Sequence, residues 1–206
     1  MTARGPGRRV NSTNQRPPGP SSARVMAHSG HMVLVGLMGS GKTTVGRRLA
    51  ARLERRFVDG DEELERATGR TAREVAEADG VPALLVLEAR VLLDALARPE
   101  PAVIAPAASV VDDAGCRRAL QSPDVTIVRL RARPDTLAAR HAAGSHRRSL
   151  GADPVAGFAA QVRARERRFR AVRPAVTIDV DDRDPDEIVG VLLQELGGGR
   201  GVGSGI

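Results

Sequence analysis

Gly36-Leu37-Met38-Gly39-Ser40-Gly41-Lys42-Thr43-Thr44 is the stretch on which the fold of this chain depends. It follows the short apolar run 32–35 and precedes a stretch of helical periodicity that begins at Val45 and ends at about Arg55. A strand, a glycine-rich turn and a helix in this order are the context of the P-loop pattern G-x-x-x-x-G-K-[ST], whose backbone N–H groups and helix N-terminus hold phosphate oxygens. The residues predicted to bind a nucleotide are Gly36, Gly39, Ser40, Gly41, Lys42, Thr43 and Thr44.

Each fixed position of this loop has a physical reason. Glycine at positions 36, 39 and 41 allows positive φ and a close approach of the backbone to phosphate. Lys42 can reach the outer phosphates, and the Thr43 hydroxyl can ligate Mg²⁺. Lys42 is the only lysine among 32 basic residues, and all the others are arginine. Because a compact ammonium and a planar guanidinium are not interchangeable, this solitary lysine indicates a site that binds phosphate.

The composition is that of one globular domain of ordinary size. The chain has 206 residues with 41% hydrophobic residues, but its aromatic residues are only Phe57, Phe158 and Phe169. The core must therefore consist mainly of Leu, Val, Ala and Ile. The single cysteine, Cys116, excludes an internal disulfide and suits a reducing compartment. We expect it to be a small, buried apolar residue.

The basic charge does not by itself indicate a nucleic-acid partner. The formal net charge is +7 and the isoelectric point about 11.2. Five arginines and no acidic residue lie within 1–25, so little excess charge remains for the rest of the chain. The chain also lacks Trp and Tyr, and its three phenylalanines are too scattered for a platform on which bases stack. We expect no specific nucleic-acid partner, although a weak association through the basic tail stays open.

The chain shows no signal for a membrane. It has no run of about 20 apolar residues, as a membrane span needs, and no apolar segment typical of a secretory signal. We expect a cytoplasmic monomer. Met26 and Met32 are alternative starts of translation.

The order of elements predicts an α/β domain between two tails. Residues 1–30 are rich in Pro, Gly, Ser and Arg and predict a disordered basic tail, and 197–206 predict a flexible glycine-rich tail. Predicted strands are 32–35, 56–59, 102–105, 124–130 and 175–180. Predicted helices are 42–55, a helix that begins near Asp61 and is capped by it, 71–78, a mostly buried helix 82–97, 112–121, 134–142, 155–171 and 185–196. Strands separated by helices predict a parallel sheet that is covered on both faces.

Three further stretches carry a family resemblance. Residues 57–69 place Asp59 and Asp61 directly after the second strand, 130–137 lead into an arginine-rich loop, and 180–185 follow the last strand. Together with the P-loop, these stretches resemble shikimate kinase over residues 31–196. The resemblance implies a P-loop nucleoside-triphosphate-hydrolase-type three-layer α/β/α sandwich with a five-stranded parallel sheet. It also implies transfer of the γ-phosphate of ATP to a hydroxyl of shikimate, with ATP and Mg²⁺ as cofactors and a lid at about 144–154.

The resemblance further implies roles for single residues. It makes Lys42, Asp59, Asp61 and the lid residue Arg148 catalytic. Thr43 and Asp59 would lie on the magnesium side, Asp61 and Arg165 would bind the acceptor, and Arg140 and Arg183 would lie near the adenine. The residues themselves agree for the two aspartates, because carboxylates at the carboxyl end of a strand lie where open α/β sheets bind ligands, and a hydroxyl nucleophile needs a proton acceptor.

The acceptor side departs from the family pattern. Leu84 and Leu85 stand where the family has a Phe-Arg pair whose arginine binds the acceptor's carboxylate. Pro106-Ala107-Ala108 replaces three glycines after the third strand, and Ser149 replaces the proline after the lid arginine. Three functions therefore stay open: a kinase for shikimate, a kinase for a less acidic alcohol with the two leucines lining an apolar pocket, and a nucleotide-binding module that has lost transfer and acts through a partner.

Overall fold

The computed structural model describes residues 30–142 and 153–198. Most of the predicted lid, with Arg148 and Ser149, lies outside the described residues. So do nearly all of the two predicted tails, and these predictions stay predictions.

Five strands and eight α-helices follow one another in the described part of the chain. The strands are β1 (His31–Val35), β2 (Arg56–Asp59), β3 (Ala102–Ala105), β4 (Val125–Arg131) and β5 (Val176–Asp179). The helices are α1 (Lys42–Arg52), α2 (Gly60–Thr68), α3 (Ala72–Ala78), α4 (Val81–Leu96), α5 (Ala114–Leu120), α6 (Pro134–Ala142), α7 (Pro154–Ala171) and α8 (Pro185–Gly198), with a 3₁₀ helix at Ala108–Asp112. None of these helices is long and apolar enough to cross a membrane.

The strands form one parallel sheet in the order β2-β3-β1-β4-β5. The predicted five-stranded α/β fold is therefore confirmed. All five residues of β1 are buried, as expected for a central strand that has helices on both faces. The chain leaves β1 toward β2 on one side and leaves β3 toward β4 on the other. A crevice therefore opens between the carboxyl ends of β1 and β3, at the point where α/β sheets bind their ligands.

The prediction that Asp61 caps the second helix is wrong. The helix α2 begins at Gly60, and its N-cap is Asp59, which keeps an extended backbone at φ −94° and ψ 128°. Oδ1 of Asp59 accepts a hydrogen bond from the backbone N–H of Asp61 at 3.0 Å. The strand β2 continues to Asp59, so the helix begins one residue earlier than the sequence indicated.

The prediction that helix 82–97 is mostly buried is also wrong. Only Leu84, Leu92 and Ala95 of α4 are buried, whereas Val86 is 69% exposed. The buried residues form one stripe along the helix, because a helix in the outer layer of a sandwich buries a single face. Apolar residues lie on most sides of this helix, so the spacing of apolar residues in the sequence does not show which side is buried.

The predicted helix 112–121 begins two residues later than expected. Asp112 ends the 3₁₀ helix, and Asp113 takes an extended backbone and caps α5 by accepting from the N–H of Cys116 at 2.7 Å. Cys116 is buried as predicted, and this burial raises the pKa of its thiol to about 12, with the Asp113 carboxylate acting in the same direction.

An ion pair between a buried arginine and a partly buried glutamate joins the sheet to α7. The two terminal nitrogens of Arg129 on β4 donate to the two carboxylate oxygens of Glu166 at 3.2 and 2.7 Å. The guanidinium carbon of Arg129 also lies 4.9 Å from the ring centre of Phe169. The hydrogen bonds from Arg129 lower the pKa of Glu166 to about 2, although partial burial opposes this shift.

Replacing Glu166 by glutamine is expected to lower the free energy of unfolding at pH 7 by about 3 kcal/mol, because it leaves the buried Arg129 charge without its partner. The depressed pKa means that this stabilisation is complete above the unfolded pKa of a glutamate and is lost as the pH falls toward 2. Urea unfolding at several pH values measures the difference between the two proteins. It should be largest near neutral pH and shrink in acid, and the exposed Glu195→Gln serves as the control. A constant difference across the pH range would contradict the assignment.

Candidate active site

The loop between β1 and α1 has the backbone that phosphate binding requires. Gly39 and Gly41 have φ of +84° and +88°, in the left-handed region that favours glycine. Gly36 does not share this conformation, and its requirement is steric: a Cβ atom there would lie 2.4 Å from the carbonyl oxygen of Leu130. The expectation of positive φ is thus correct for two of the three glycines.

The N-terminus of α1 is built to receive an anion. The helix begins at Lys42, and its N-cap Gly41 offers no side chain to the first N–H groups. These groups have no acceptor within the helix and carry the positive end of its dipole. The buried hydroxyl of Ser40 has no hydrogen-bond partner within the described part of the chain. Both features fit the phosphate oxygens of a nucleotide.

The ammonium group of Lys42 is held over this loop. Its Nζ donates to the carbonyl oxygens of Gly36 at 3.0 Å and Leu37 at 3.3 Å. These contacts keep the charge beside the anion site, where it can act on the outer phosphates.

Thr43 and Asp59 meet beside the loop. The Thr43 hydroxyl donates to Oδ2 of Asp59 at 2.8 Å, and Asp59 is 7% exposed. A hydroxyl and a carboxylate are ligand types that suit Mg²⁺, which usually keeps several waters and takes phosphate oxygens as further ligands. Within residues 30–142 and 153–198 there is no group of three or more His, Cys, Asp or Glu side chains that could hold a metal. The ligand types of Thr43 and Asp59 fit a magnesium ion that arrives with a nucleotide.

Asp61 lies in the first turn of α2 and is exposed. The turn before it is tight, since a Cβ atom on Gly60 would come within 3.1 Å of Cα of Pro106. The carboxyl ends of β2 and β3 are thus in contact, and Asp59 pairs in register with Ala105. This places Asp61 at the edge of the sheet that carries the P-loop.

The arginines predicted at the nucleotide take different positions. Arg140 on α6 donates to the carbonyl oxygen of Val180 at 2.9 Å and approaches that of Gly39 at 3.5 Å, so it joins the P-loop to the turn after β5. Arg183 is exposed in that turn. Both positions are compatible with contacts to a base, and these roles stay predictions.

The sequence reasoning missed the contacts that Asp112 makes with Arg165, a predicted acceptor-binding residue, and with Arg168. Its Oδ2 accepts from Nε of Arg165 at 2.9 Å and its Oδ1 from Arg168 at 3.1 Å. The second contact of Arg165 is with Gln161, at 3.0 Å. Two signals in the sequence pointed to this cluster: an acid shortly after β3, and two arginines one helical turn apart on α7.

Leu84 and Leu85 do not line a common pocket, contrary to the expectation. Leu84 is 3% exposed and packs in a small core with Leu64 and Val75, whereas Leu85 is 41% exposed. Neighbouring positions of a helix point about 100° apart, so one residue faces the core and the next one turns away.

Replacing Leu84 by alanine is expected to lower the free energy of unfolding by about 3 kcal/mol, because it leaves a cavity in that core. The matched change Leu85→Ala should cost less than about 0.5 kcal/mol, since much of this side chain is exposed. Denaturant unfolding of both variants measures the contrast, and equal losses would contradict it.

A cavity lies at the amino ends of the strands, at the edge of the sheet opposite to this chemistry. It has a volume of about 450 Å³, and its lining includes His31, Arg98 and Asp124. The ring nitrogens of His31 are bonded to the carbonyl oxygen of Arg98 at 3.0 Å and the backbone N–H of Ala102 at 3.3 Å. His31 therefore has a structural role there, and the crevice at the carboxyl ends is the better candidate site.

Comparisons with known proteins agree with this geometry. A family model described as shikimate kinase matches residues 38–197. The shikimate kinase of Rhodococcus erythropolis is 36% identical over 80% of this chain and 95% of its own, and that of Symbiobacterium thermophilum is 40% identical over 81% and 95%. A solved shikimate kinase from Acinetobacter baumannii, in complex with shikimate, has a TM-score of 0.75 and 29% identity, over 82% of this chain and 95% of that one. The chain with the solitary lysine in its P-loop therefore belongs to the shikimate kinase family.

Proposed function

We propose that the protein is an ATP-dependent phosphotransferase that moves the γ-phosphate of ATP to a hydroxyl of shikimate or of a related small molecule. The observation that carries this proposal is the hydrogen bond between Thr43 and Asp59 beside the only lysine of the chain. A protein that only binds nucleotide needs the loop but has no need of a buried carboxylate on the magnesium side.

The nucleotide side supplies positioning and charge. The N–H groups of residues 39–44 and the N-terminus of α1 hold the phosphates, and Lys42 neutralises charge that moves to the leaving oxygen. Arg140 and Arg183 contact the base in this proposal. Phosphoryl transfer needs little covalent chemistry from the protein, so these groups carry most of the rate enhancement.

The magnesium ion belongs to the proposal as well. Thr43 would ligate it directly, and Asp59 would hold a water of its hydration shell through the oxygen that now accepts from the Thr43 hydroxyl. When bound there, the ion would supply positive charge against the negative charge that develops during the transfer.

The acceptor side supplies a base and an anchor. Asp61 takes the proton of the attacking hydroxyl, in keeping with its place at the carboxyl end of β2. Arg165 binds the acceptor, and Arg148, which lies outside the described residues, stabilises the charge on the transferring phosphoryl group. We also propose that the enzyme works as a cytoplasmic monomer without a specific nucleic-acid or membrane partner.

Purified protein with ATP, Mg²⁺ and an acceptor panel tests the proposal. The panel holds shikimate, its neutral derivatives and common polyols, and formation of ADP and of the phosphorylated acceptor is followed together. At least one acceptor should be phosphorylated in step with ADP formation, and removal of Mg²⁺ should stop the reaction. Nucleotide binding without transfer to any member would favour the binding-module alternative instead.

A further inference from the structure

We propose that the ion pair of Arg129 and Glu166 positions the active site: it fixes helix α7, and with it Arg165, at a set distance from the P-loop. This inference rests on the proposed function, in which Arg165 binds the acceptor, and adds two positioning residues to it.

The sheet places Arg129 beside the start of the P-loop. Arg129 on β4 pairs in register with Val35, the last residue of β1. The next residues of the two segments are in close contact too, because a Cβ atom on Gly36 would lie 2.4 Å from the carbonyl oxygen of Leu130. Arg129 is therefore a neighbour of the residue from which the P-loop begins.

The packing beside the P-loop connects the loop to α7. A cavity of about 20 Å³ lies between them, and its lining includes Gly36, Leu37, Ser40, Arg129, Val162 and Phe169. This volume has room for about one water molecule, so the loop, β4 and α7 are closely packed there. The groups that fill this space therefore set the distance between α7 and the P-loop, and Arg129 is the buried charged group among them.

Arg129 contacts α7 at two points. Its terminal nitrogens donate to the two carboxylate oxygens of Glu166 at 3.2 and 2.7 Å, and its guanidinium carbon lies 4.9 Å from the ring centre of Phe169. Glu166 and Phe169 are three residues apart, so both contacts lie on the same face of the helix. A bidentate pair fixes a distance and an angle, and the contact with Phe169 limits rotation of the helix.

The position of this contact face determines where Arg165 lies. Arg165 directly precedes Glu166, so a displacement of α7 at Glu166 moves the backbone of Arg165 by a similar amount. The P-loop is held independently of α7, because β1 pairs with both β3 and β4. Loss of the ion pair should therefore move Arg165 relative to the phosphates and leave the phosphate site intact. Transfer needs the acceptor within a narrow range of distances from the γ-phosphate, so this displacement lowers the rate.

The main test variant replaces both members of the pair, Arg129→Met together with Glu166→Leu. Apolar side chains of similar length often replace a shielded ion pair without loss of stability, and methionine still packs on the ring of Phe169. These side chains provide no fixed geometry between the helix and the sheet. Arg129→Lys is the second variant, since an ammonium keeps the charge but cannot form two parallel bonds. Arg170→Gln is the matched control, because Arg170 also donates to Glu166, at 2.8 Å, but lies on α7 itself.

Four quantities are measured on the full chain: the melting temperature, the affinity for ADP with Mg²⁺, the affinity for shikimate or the panel compound that binds best, and the kinetics of transfer from ATP. The double variant should melt close to the unmodified protein and keep its affinity for ADP. Its kcat/KM for the acceptor should fall by about 30-fold, and the acceptor should bind about 10-fold more weakly. Arg129→Lys should lower kcat/KM by about 10-fold, and Arg170→Gln should leave all four quantities unchanged.

A role in stability alone predicts a different pattern, because a double variant that is stable would then be fully active. Full kcat/KM in the folded double variant would overturn the inference, and so would a loss confined to the affinity for ADP. If the double variant does not fold, Arg129→Lys decides, and unchanged kinetics in that variant would overturn the inference.

Binding and transfer separate this inference from the proposed function. Acceptor binding that weakens in the variants, without transfer by the unmodified protein, would support the inference and refute the proposed function. Transfer at equal rates by the unmodified protein and the folded variants would support the function and refute the inference. A protein that neither binds nor phosphorylates any compound of the panel would refute both.

Discussion

Replacing Lys42 by alanine is expected to lower kcat/KM by about 10³-fold. The change removes the ammonium group that stabilises the negative charge developing on the leaving phosphate oxygen in the transition state. The side chain also bonds to the carbonyl oxygens of Gly36 and Leu37, so its loss frees the loop as well. Steady-state kinetics with the best acceptor of the panel and a nucleotide titration measure the two effects separately. The affinity for ATP should fall by a much smaller factor than kcat/KM does.

The variant Lys42→Arg tests whether a positive charge at this position is sufficient for activity. It keeps the charge, but a planar guanidinium is bulkier and cannot fold onto two carbonyl oxygens of a tight loop in the same way. We expect it to lose most of the activity too, which would explain why a chain with 31 arginines among its 32 basic residues keeps one lysine. Full activity in Lys42→Arg would show that charge alone is needed. Full activity in Lys42→Ala would refute the mechanism.

Replacing Asp59 by asparagine is expected to lower kcat by about 10- to 100-fold with little change in stability, because side chains that orient a metal's ligands contribute that much to activity. An asparagine still offers an oxygen to the N–H of Asp61 and caps helices about as well as aspartate. It loses the charge that faces Thr43 and the proposed magnesium ion. A shift of the Mg²⁺ dependence to higher concentration should accompany the loss.

The variant Asp59→Ala tests both roles of this carboxylate, its proposed role in activity and its role as the N-cap of α2. It should lose the same activity and also about 1 kcal/mol of unfolding free energy, since the cap of α2 is gone. Thr71→Ala is the matched control: it removes the cap of α3, which has both contacts of a capping box, at a similar cost in stability and with unchanged kcat/KM. If Asp59→Asn retained full activity at limiting Mg²⁺, the proposed role of Asp59 would be wrong.

The features that the sequence predicted well depend on local chemistry. The P-loop follows from glycine spacing and one lysine, and the parallel sheet follows from short apolar runs between helical stretches. In each case neighbouring residues determine the backbone, so the pattern in the chain is enough. The family resemblance also assigned roles to Asp59, Asp61 and Arg165, and these roles stay predictions.

The features that were wrong or missed depend on long-range packing. Which face of α4 is buried depends on its neighbours in the outer layer, so the Leu84 and Leu85 pair was misread. The steric need for glycine at position 36 comes from the carbonyl of Leu130, far along the chain. The pair of Asp112 and Arg165 joins residues 53 apart in sequence. No spacing rule predicts a contact of this kind, because it arises only when α7 packs against the 3₁₀ helix that follows β3.

The solitary lysine over the phosphate loop has a practical chemical consequence. Lys42 carries the only side-chain amine of the protein. A reagent that acylates amines therefore meets one side-chain target, and that target lies where the outer phosphates of a nucleotide bind. After digestion, the mass of the peptide that contains Lys42 thus reports whether the site is occupied, separately from any adduct at the N-terminal amine, and no engineered label is needed.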